Sequence, residues 1–247
     1  MAVYMNADIC WWLGKQGIAA FAKSASLASQ CNALDTTPIK TSDRYVELIG
    51  GLKSGQVSMD LMSDAAANGL DDRLWGYAGT SGVTQSFSIG SAAGSVAYTM
   101  QSQGSSYTPW TGAPGDLATG SLQCVSSGVI ARGVLLAGDG TAVTSSSTST
   151  PFQVGALSAS QRMYVGLHVT AVSGTSPTLA VVLQSDNGVG FASPTNRATL
   201  TTETNLTAGY QSTSVAGAVT DDWWRVSYTL GGTTPSFAFA VVVGIAG

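Results

Sequence analysis

The sequence predicts an all-β protein with one short helix, and three observations carry that prediction. Runs of alternating apolar and polar residues recur along the chain, the period-2 signature of half-buried strands. Gly, Ser and Thr separate those runs at strand-length intervals. In the last third one pattern occurs twice. Gly174-Thr175-Ser176-Pro177 leads into Thr178-Leu179-Ala180-Val181-Val182-Leu183, and Gly232-Thr233-Thr234-Pro235 leads into Ser236-Phe237-Ala238-Phe239-Ala240-Val241-Val242-Val243. Each copy lies between strand-like runs and is expected to be the turn of an antiparallel hairpin.

Taken in order, the run 56–62 alternates, as do 83–89 and 95–100, so each reads as a strand. Between the first two, the spacing predicts a helix over 68–78. Asn68 is placed to cap it, Asp71 and Asp72 suit its positive end, and Leu70, Leu74, Tyr77 and Ala78 share one face. Gly115, Gly120, Gly128 and Gly133 are expected to cut the following stretch into strand-length pieces. From Gly138 to Pro151 the composition changes to Gly, Ser and Thr with almost no apolar periodicity, which reads as a linker. The boundary divides the chain into residues 1–137 and 152–247. In the second part, Met163, Val165, Leu167, Val169 and Ala171 form one apolar face. Trp224, Val226, Tyr228 and Leu230 form a second, and Phe237, Phe239, Val241 and Val243 a third. With the run 193–200 between them, they predict a small antiparallel sandwich or jelly roll.

Composition narrows the function. Charged residues make up 10% of the 247-residue chain, against roughly 25% in ordinary soluble domains. A surface so poor in charge is best kept soluble by being covered, which points to assembly; a Ser/Thr-rich secreted β domain shares the composition. The net charge of -4 comes with no basic patch, so specific nucleic-acid binding is not expected. A mildly acidic surface would let a polyanion pass without sticking. Cys10, Cys31 and Cys124 show neither metal-ligand nor redox spacing, and their odd number argues against a disulfide framework. Residues 1–6 lack the basic and long apolar regions of a signal peptide, and no run approaches the roughly 20 apolar residues of a membrane span.

Catalytic chemistry is sparse. His168 is the only histidine, and its alternation with Leu167 and Val169 turns it away from their core. No Gly-x-Ser-x-Gly elbow occurs. The carboxylates Asp60 and Asp64, Asp71 and Asp72, and Asp221 and Asp222 cluster, but adjacent residues point in different directions and do not form a glycosidase pair. Asp186-Asn187-Gly188 is a tight turn rather than a calcium loop. No cofactor is expected, and no enzymatic activity. Trp11-Trp12, Trp110 and Trp223-Trp224 supply five of the six tryptophans, and one member of each pair should face outward in an extended segment. Such rings stack on sugars or fill subunit interfaces.

These residues resemble a known family. Gly174-Thr-Ser-Pro-Thr-Leu, Gln184-Ser-Asp-Asn with Gly190-Phe-Ala-Ser-Pro, Asp222-Trp-Trp-Arg-Val-Ser and the final run from Gly232 are similar to the major tail (tail-tube) proteins of long-tailed bacteriophages. In the first part, Lys40 to Arg44 followed by Tyr45-Val-Glu-Leu-Ile-Gly-Gly-Leu-Lys53 resembles the loop-to-strand segment of tail-tube subunits. The resemblance implies a tail-tube-type β-sandwich or barrel, assembled in hexameric rings that stack into a channel for DNA delivery. It implies residues 1–137 as the tube wall and 152–247 as an Ig-like or jelly-roll outer domain. Asp35, Asp43, Arg44, Tyr45, Glu47 and Lys53 would lie in the loop that meets the next ring. Asp60, Asp64, Asp71 and Asp72 are candidates for an acidic lumen lining. Trp223 and Arg225 are candidate outer-surface contacts. The implied partners are further copies of the chain, tape-measure, terminator and baseplate proteins, and DNA in passage without specific binding, with no membrane. The implied location is the virion tail, after synthesis in the bacterial cytoplasm. A capsid or fibre decoration protein, or a carbohydrate-binding β-sandwich, is the alternative reading.

Overall fold

The alternating runs do form strands, in a computed structural model that describes residues 8–37, 46–66, 69–203 and 209–247. The strands are β1 (Cys10–Leu13), β2 (Gln16–Gly17), β3 (Ala22–Asp35), β4 (Leu48–Met62), β5 (Val83–Ser88), β6 (Val96–Thr111), β7 (Thr119–Ser126) and β8 (Ala131–Ala137). They continue as β9 (Ala142–Val143), β10 (Ser147–Thr148), β11 (Phe152–Gln153), β12 (Arg162–Asp186), β13 (Thr195–Glu203), β14 (Gly209–Ala216) and β15 (Trp223–Ala246). The helix α1 (Leu70–Leu74) runs into a 3-10 turn at Trp75–Tyr77 and buries Leu70 and Leu74, as its spacing predicts. Asn68, the expected cap, lies outside the described residues. Gly120 and Gly133 sit inside β7 and β8 instead of ending them. All strand pairs are antiparallel, and the order β13-β12-β15-β8-β6-β5-β1-β2 is joined by a branch in which β3, β4, β7 and β6 lie side by side.

The two Gly-Thr-(Ser/Thr)-Pro motifs are not hairpin turns. β12 and β15 run antiparallel from Arg162↔Ala246 to Asp186↔Trp223, and the motifs face each other in mid-ribbon, with Thr175 opposite Thr233. Register shifts on both sides of Thr175 mark paired irregularities. Gly174, Ser176, Gly232 and Thr234 all have positive φ. A Cβ on Gly174 would meet the Thr234 carbonyl, and one on Gly232 the Ser176 carbonyl, so each glycine admits the other motif's backbone. The sequence pattern was a bend signal common to two strands, and period alone does not separate that from a turn.

The bend brings the halves of the ribbon face to face. Tyr228 from one half packs edge-on against Phe239 from the other, with ring centroids 5.2 Å apart. Met163, Val165, Leu167 and Val169, then Leu179, Val181 and Leu183, point into one core with Trp224, Val226, Phe237, Phe239, Val241 and Val243. The three predicted apolar faces therefore meet, and Leu136 and Ala137 of β8 join them. The segment 138–151 runs along β15, where β9 and β10 pair with it.

A second core lies between the β1–β5 pair and the β4–β7 pair. Trp11, Leu13, Val57, Met59, Leu61, Phe87, Leu122 and Cys124 fill it, and α1 contributes Leu70 and Leu74. β5 is buried along its whole length, so the expectation that one of Trp11 and Trp12 faces solvent fails. Trp11 enters this core, while Trp12 turns to the opposite face and packs with Ala97, Leu135, Ala240 and Val242.

Candidate assembly surfaces

The four-strand branch presents one face to the second core and the other to solvent. Because side chains alternate, Val57, Met59 and Leu61 point inward while Gln56, Ser58 and Asp60 point outward. Cross-strand register extends the outward face through Ser24, Ser26 and Ala28 on β3, Ser121 and Gln123 on β7, and Thr108 on β6. The result is a broad surface of hydroxyls and amides. Asp60 is its carboxylate, held by a hydrogen bond from Ser24 Oγ at 2.6 Å.

The other acidic candidates do not join Asp60. Asp64 shapes the loop before α1: its Oδ1 accepts from the Ala66 N–H and its carbonyl from the Asp71 N–H. Asp71 Oδ1 accepts the Tyr107 hydroxyl at 3.0 Å. Tyr107 belongs to the inner side of the same sheet, so this contact is on the opposite face from Asp60. Burial, and then the Asp71 hydrogen bond, push the Tyr107 phenol well above its usual range. Asp72 flanks Asp71 on α1, in the wall of a cavity with Lys15, Tyr77 and Tyr210.

The β3–β4 hairpin extends this branch past its core. Leu34, Val46, Leu48, Ile49 and Leu52 are 51 to 84% exposed, an apolar strip on a charge-poor protein. Its neck is ordered: the Thr37 N–H donates to Asp35 Oδ1 at 2.8 Å and the Glu47 N–H to Thr37 Oγ1 at 2.8 Å. The Thr37 bonds hold the Asp35 carboxyl below its usual range. Asp35, Glu47 and Lys53 therefore sit on this hairpin, while Asp43, Arg44 and Tyr45 lie outside the described residues. At the other end of the branch Trp110 and Leu117 are 69% and 65% exposed.

The bent ribbon satisfies its polar groups internally. Asp221, 7% exposed, accepts from Ser185 Oγ at 2.6 Å and pairs with Arg197 at 2.7 Å. The Ser185 bond first, and Arg197 with it, hold its carboxyl below the usual range. Asp222 accepts from Gln153 Nε2 at 2.6 Å. Asp186 makes the predicted turn by accepting the Gly188 and Ser193 N–H groups. Trp223 is half-buried, and Arg225 is engaged with Gln184 Oε1 at 2.9 Å and with the Phe191 ring, 4.3 Å from its centroid.

His168 does turn away from the ribbon core, but into a second buried layer rather than solvent. It is fully buried, with Nδ1 2.7 Å from the Gly14 carbonyl and Nε2 2.8 Å from Ser86 Oγ. It stacks on Trp12 at 6.1 Å. Neighbouring Gly166 leaves room for Ser86 and Thr99, whose oxygens would lie 2.9 and 2.7 Å from a Cβ there. Burial pushes the imidazole pKa down to about 4, opposed by the Gly14 bond. A neutral ring with Nδ1–H donating to Gly14 fits that network. Sequence reasoning missed this seam because β5 reads as a half-exposed strand, and its polar Thr84, Ser86 and Ser88 give no sign of burial. Among the described residues, no group of three or more His, Cys, Asp or Glu side chains could hold a metal ion.

No family model matches the chain, and no curated protein matches it. Among solved structures it is similar to a chain of the native gene transfer agent virion, with 18% identity and a TM-score of 0.42, over 53% of this chain and 98% of that one. It is similar to the SPP1 tail tube with 8% identity and a TM-score of 0.42, over 53% and 78%. A third likeness, to the SPP1 Dit protein, a hub of the adsorption apparatus, covers 96% of this chain and 99% of that one at 12% identity and a TM-score of 0.34. With TM-scores this low, none of these likenesses transfers a function to this chain.

Proposed function

We propose that the chain is a structural subunit that forms stacked, hexameric rings of a phage-type tail tube, with no enzymatic role. The observation that carries this reading is the four-strand branch β3-β4-β7-β6. It has a polar outer face, an edge on each side that is open among the described residues (β3 along its length, β6 from Ser105 onward), and an apolar hairpin projecting past its core. An open edge on each side is the geometry of a heterologous contact, in which copies add head to tail until a ring closes. Closure makes the polar face a channel lining, where hydroxyls and amides with few charges offer a passing polyanion little to bind. The hairpin, with Asp35, Glu47 and Lys53, then reaches the next ring and buries its leucines there.

In this reading residues 1–137 form the wall and 152–247 the outer domain. The two are fastened by β8 pairing with β15 and by His168 against Gly14 and Ser86. Of the four acidic candidates, Asp60 is the one on the lining face. Tape-measure, terminator and baseplate proteins would be the remaining partners, in a virion tail. Trp223 and Arg225 would stay available to outer-surface contacts only through their exposed portions.

Sedimentation of the purified chain over rising concentration tests this directly. The expected result is a threshold above which the protein pellets as polymer, and Leu52→Asp with Leu34→Asp should keep it in the supernatant. A monomer at every concentration in both proteins would overturn the proposal.

A further inference from the structure

Trp11 lies in β1, 3% exposed, and its indole Nε1–H has no hydrogen-bond partner among the described residues. A buried donor left unpaired loses its water without replacement, so such a group points to a missing acceptor. Two cavities flank this ring beneath the start of β3. One, of about 260 Å³, is walled by Ile9, Ala19, Ala22 and Ala25. The other, of about 160 Å³ and mostly apolar, is walled by Ala25, Leu27, Phe87 and Tyr98. Above them runs the outer edge of β3, which among the described residues pairs only with β4.

The opposite edge of the same branch is β6. Ala78 bridges it at Gly104, and from Ser105 onward that edge carries no strand among the described residues. Register ties the two edges together: Ser24 faces Asp60, Asp60 faces Ser121, and Ser121 faces Thr108. A ring that lays the β6 edge of one copy along the β3 edge of the next makes an antiparallel pair. It sets Thr108 beside Ser24 and Trp110 beside Ala22. The stagger of strands in a closed barrel slides this alignment by a few residues. The two cavities span Ala22–Leu27, so Trp110 stays within reach of them.

Local chemistry suits the match. Trp110 is 69% exposed and needs cover. The register shift between Thr108 and Thr111, around Pro109, breaks the strict alternation of β6, which frees Trp110 from the outward face of Thr108. The incoming backbone brings carbonyl oxygens, the acceptors that Trp11 lacks. We propose that the cavities beside Trp11 are the receptor for Trp110 of a second copy, and that this anchor closes the ring. The inference rests on the ring reading above and adds to it the pair of residues at the seam.

The test is disulfide trapping in a Cys31→Ser background, which removes the exposed native thiol. Ser24→Cys with Thr108→Cys, which the alignment sets side by side and which keeps Trp110, should give, on oxidation, a ladder of covalent multimers that stops at the ring number, and neither single substitution should give it. Independently, Trp110→Ala should raise the concentration needed for polymer at least tenfold while leaving the melting temperature of the monomer unchanged. Polymer that forms in Trp110→Ala at the wild-type concentration, with no ladder from the cysteine pair, would overturn the anchor and leave the ring reading standing. A wild-type chain that never polymerises would remove the ring reading, and the anchor with it.

Discussion

The two large regions of the molecule treat their polar and apolar groups in opposite ways. In the bent β12–β15 ribbon, apolar faces meet in a closed core, Asp221 has Arg197 and Ser185, and Trp224 Nε1–H donates to the Gly155 carbonyl at 2.8 Å. In the β3-β4-β7-β6 branch leucines stand exposed, and among the described residues the outer edge of β3 lacks a neighbour and Trp11 of β1, beneath it, lacks an acceptor. Both are antiparallel sheet of similar composition. In the proposed reading the difference marks where the chain expects company: the ribbon closes its own core, and the branch is covered by other copies.

That contrast can be broken at several points. The largest effect belongs to the hairpin. Leu34→Asp with Leu52→Asp should abolish polymer seen by electron microscopy, yet change folding stability by less than about 0.5 kcal/mol, because both side chains are exposed in the monomer. The reverse substitution pattern belongs to the ribbon. Gly232→Val meets both a positive φ and the Ser176 carbonyl, so chemical denaturation should show a loss of roughly 3 kcal/mol or more.

Acid sharpens the comparison next. His168 has a folded pKa of about 4 against an ordinary 6.5, so between those values the unfolded chain binds the extra proton. Stability is therefore full above about pH 6.5 and falls as pH drops toward 4, by about 3 kcal/mol in all. Urea titrations at several pH values measure it, and His168→Gln should flatten that slope while lowering stability throughout. Asp221, with its lowered pKa, acts further down: its contribution is present above the ordinary carboxylate range and is lost as pH falls through the folded value. Arg197→Met leaves Asp221 with Ser185 alone and should cost about 1–3 kcal/mol. The smallest effect is at Asp60. Asp60→Asn on the exposed face should leave stability within about 0.5 kcal/mol and leave assembly intact.

Much of the fold was legible in the sequence, and the failures share a cause. The apolar faces of Met163–Val169, Trp224–Leu230 and Phe237–Val243 could be read because alternate side chains of each point into one shared core, where period 2 reports burial directly. The helix start was legible from Leu70 and Leu74 together with the acidic first turn. Period does not report what lies on the other side. Trp12, Ser86 and His168 are buried by a layer that comes from distant sequence, and nothing local distinguishes them from a solvent face. The same blindness made the paired bend at Thr175 and Thr233 look like two hairpins, since register between strands about 60 residues apart is not a local property. At the assembly surfaces, Asp60 could not be separated from Asp71 by sequence, because α1 places Asp71 on the inner side of the sheet. Trp11 was visible as an aromatic, but its unpaired donor required the cavities to be seen.

Electron microscopy of the purified chain at rising concentration tests the central claim most directly. The account predicts tubes with a central channel, built of stacked rings with density projecting outside the wall. Isolated particles of uniform size at every concentration would contradict it.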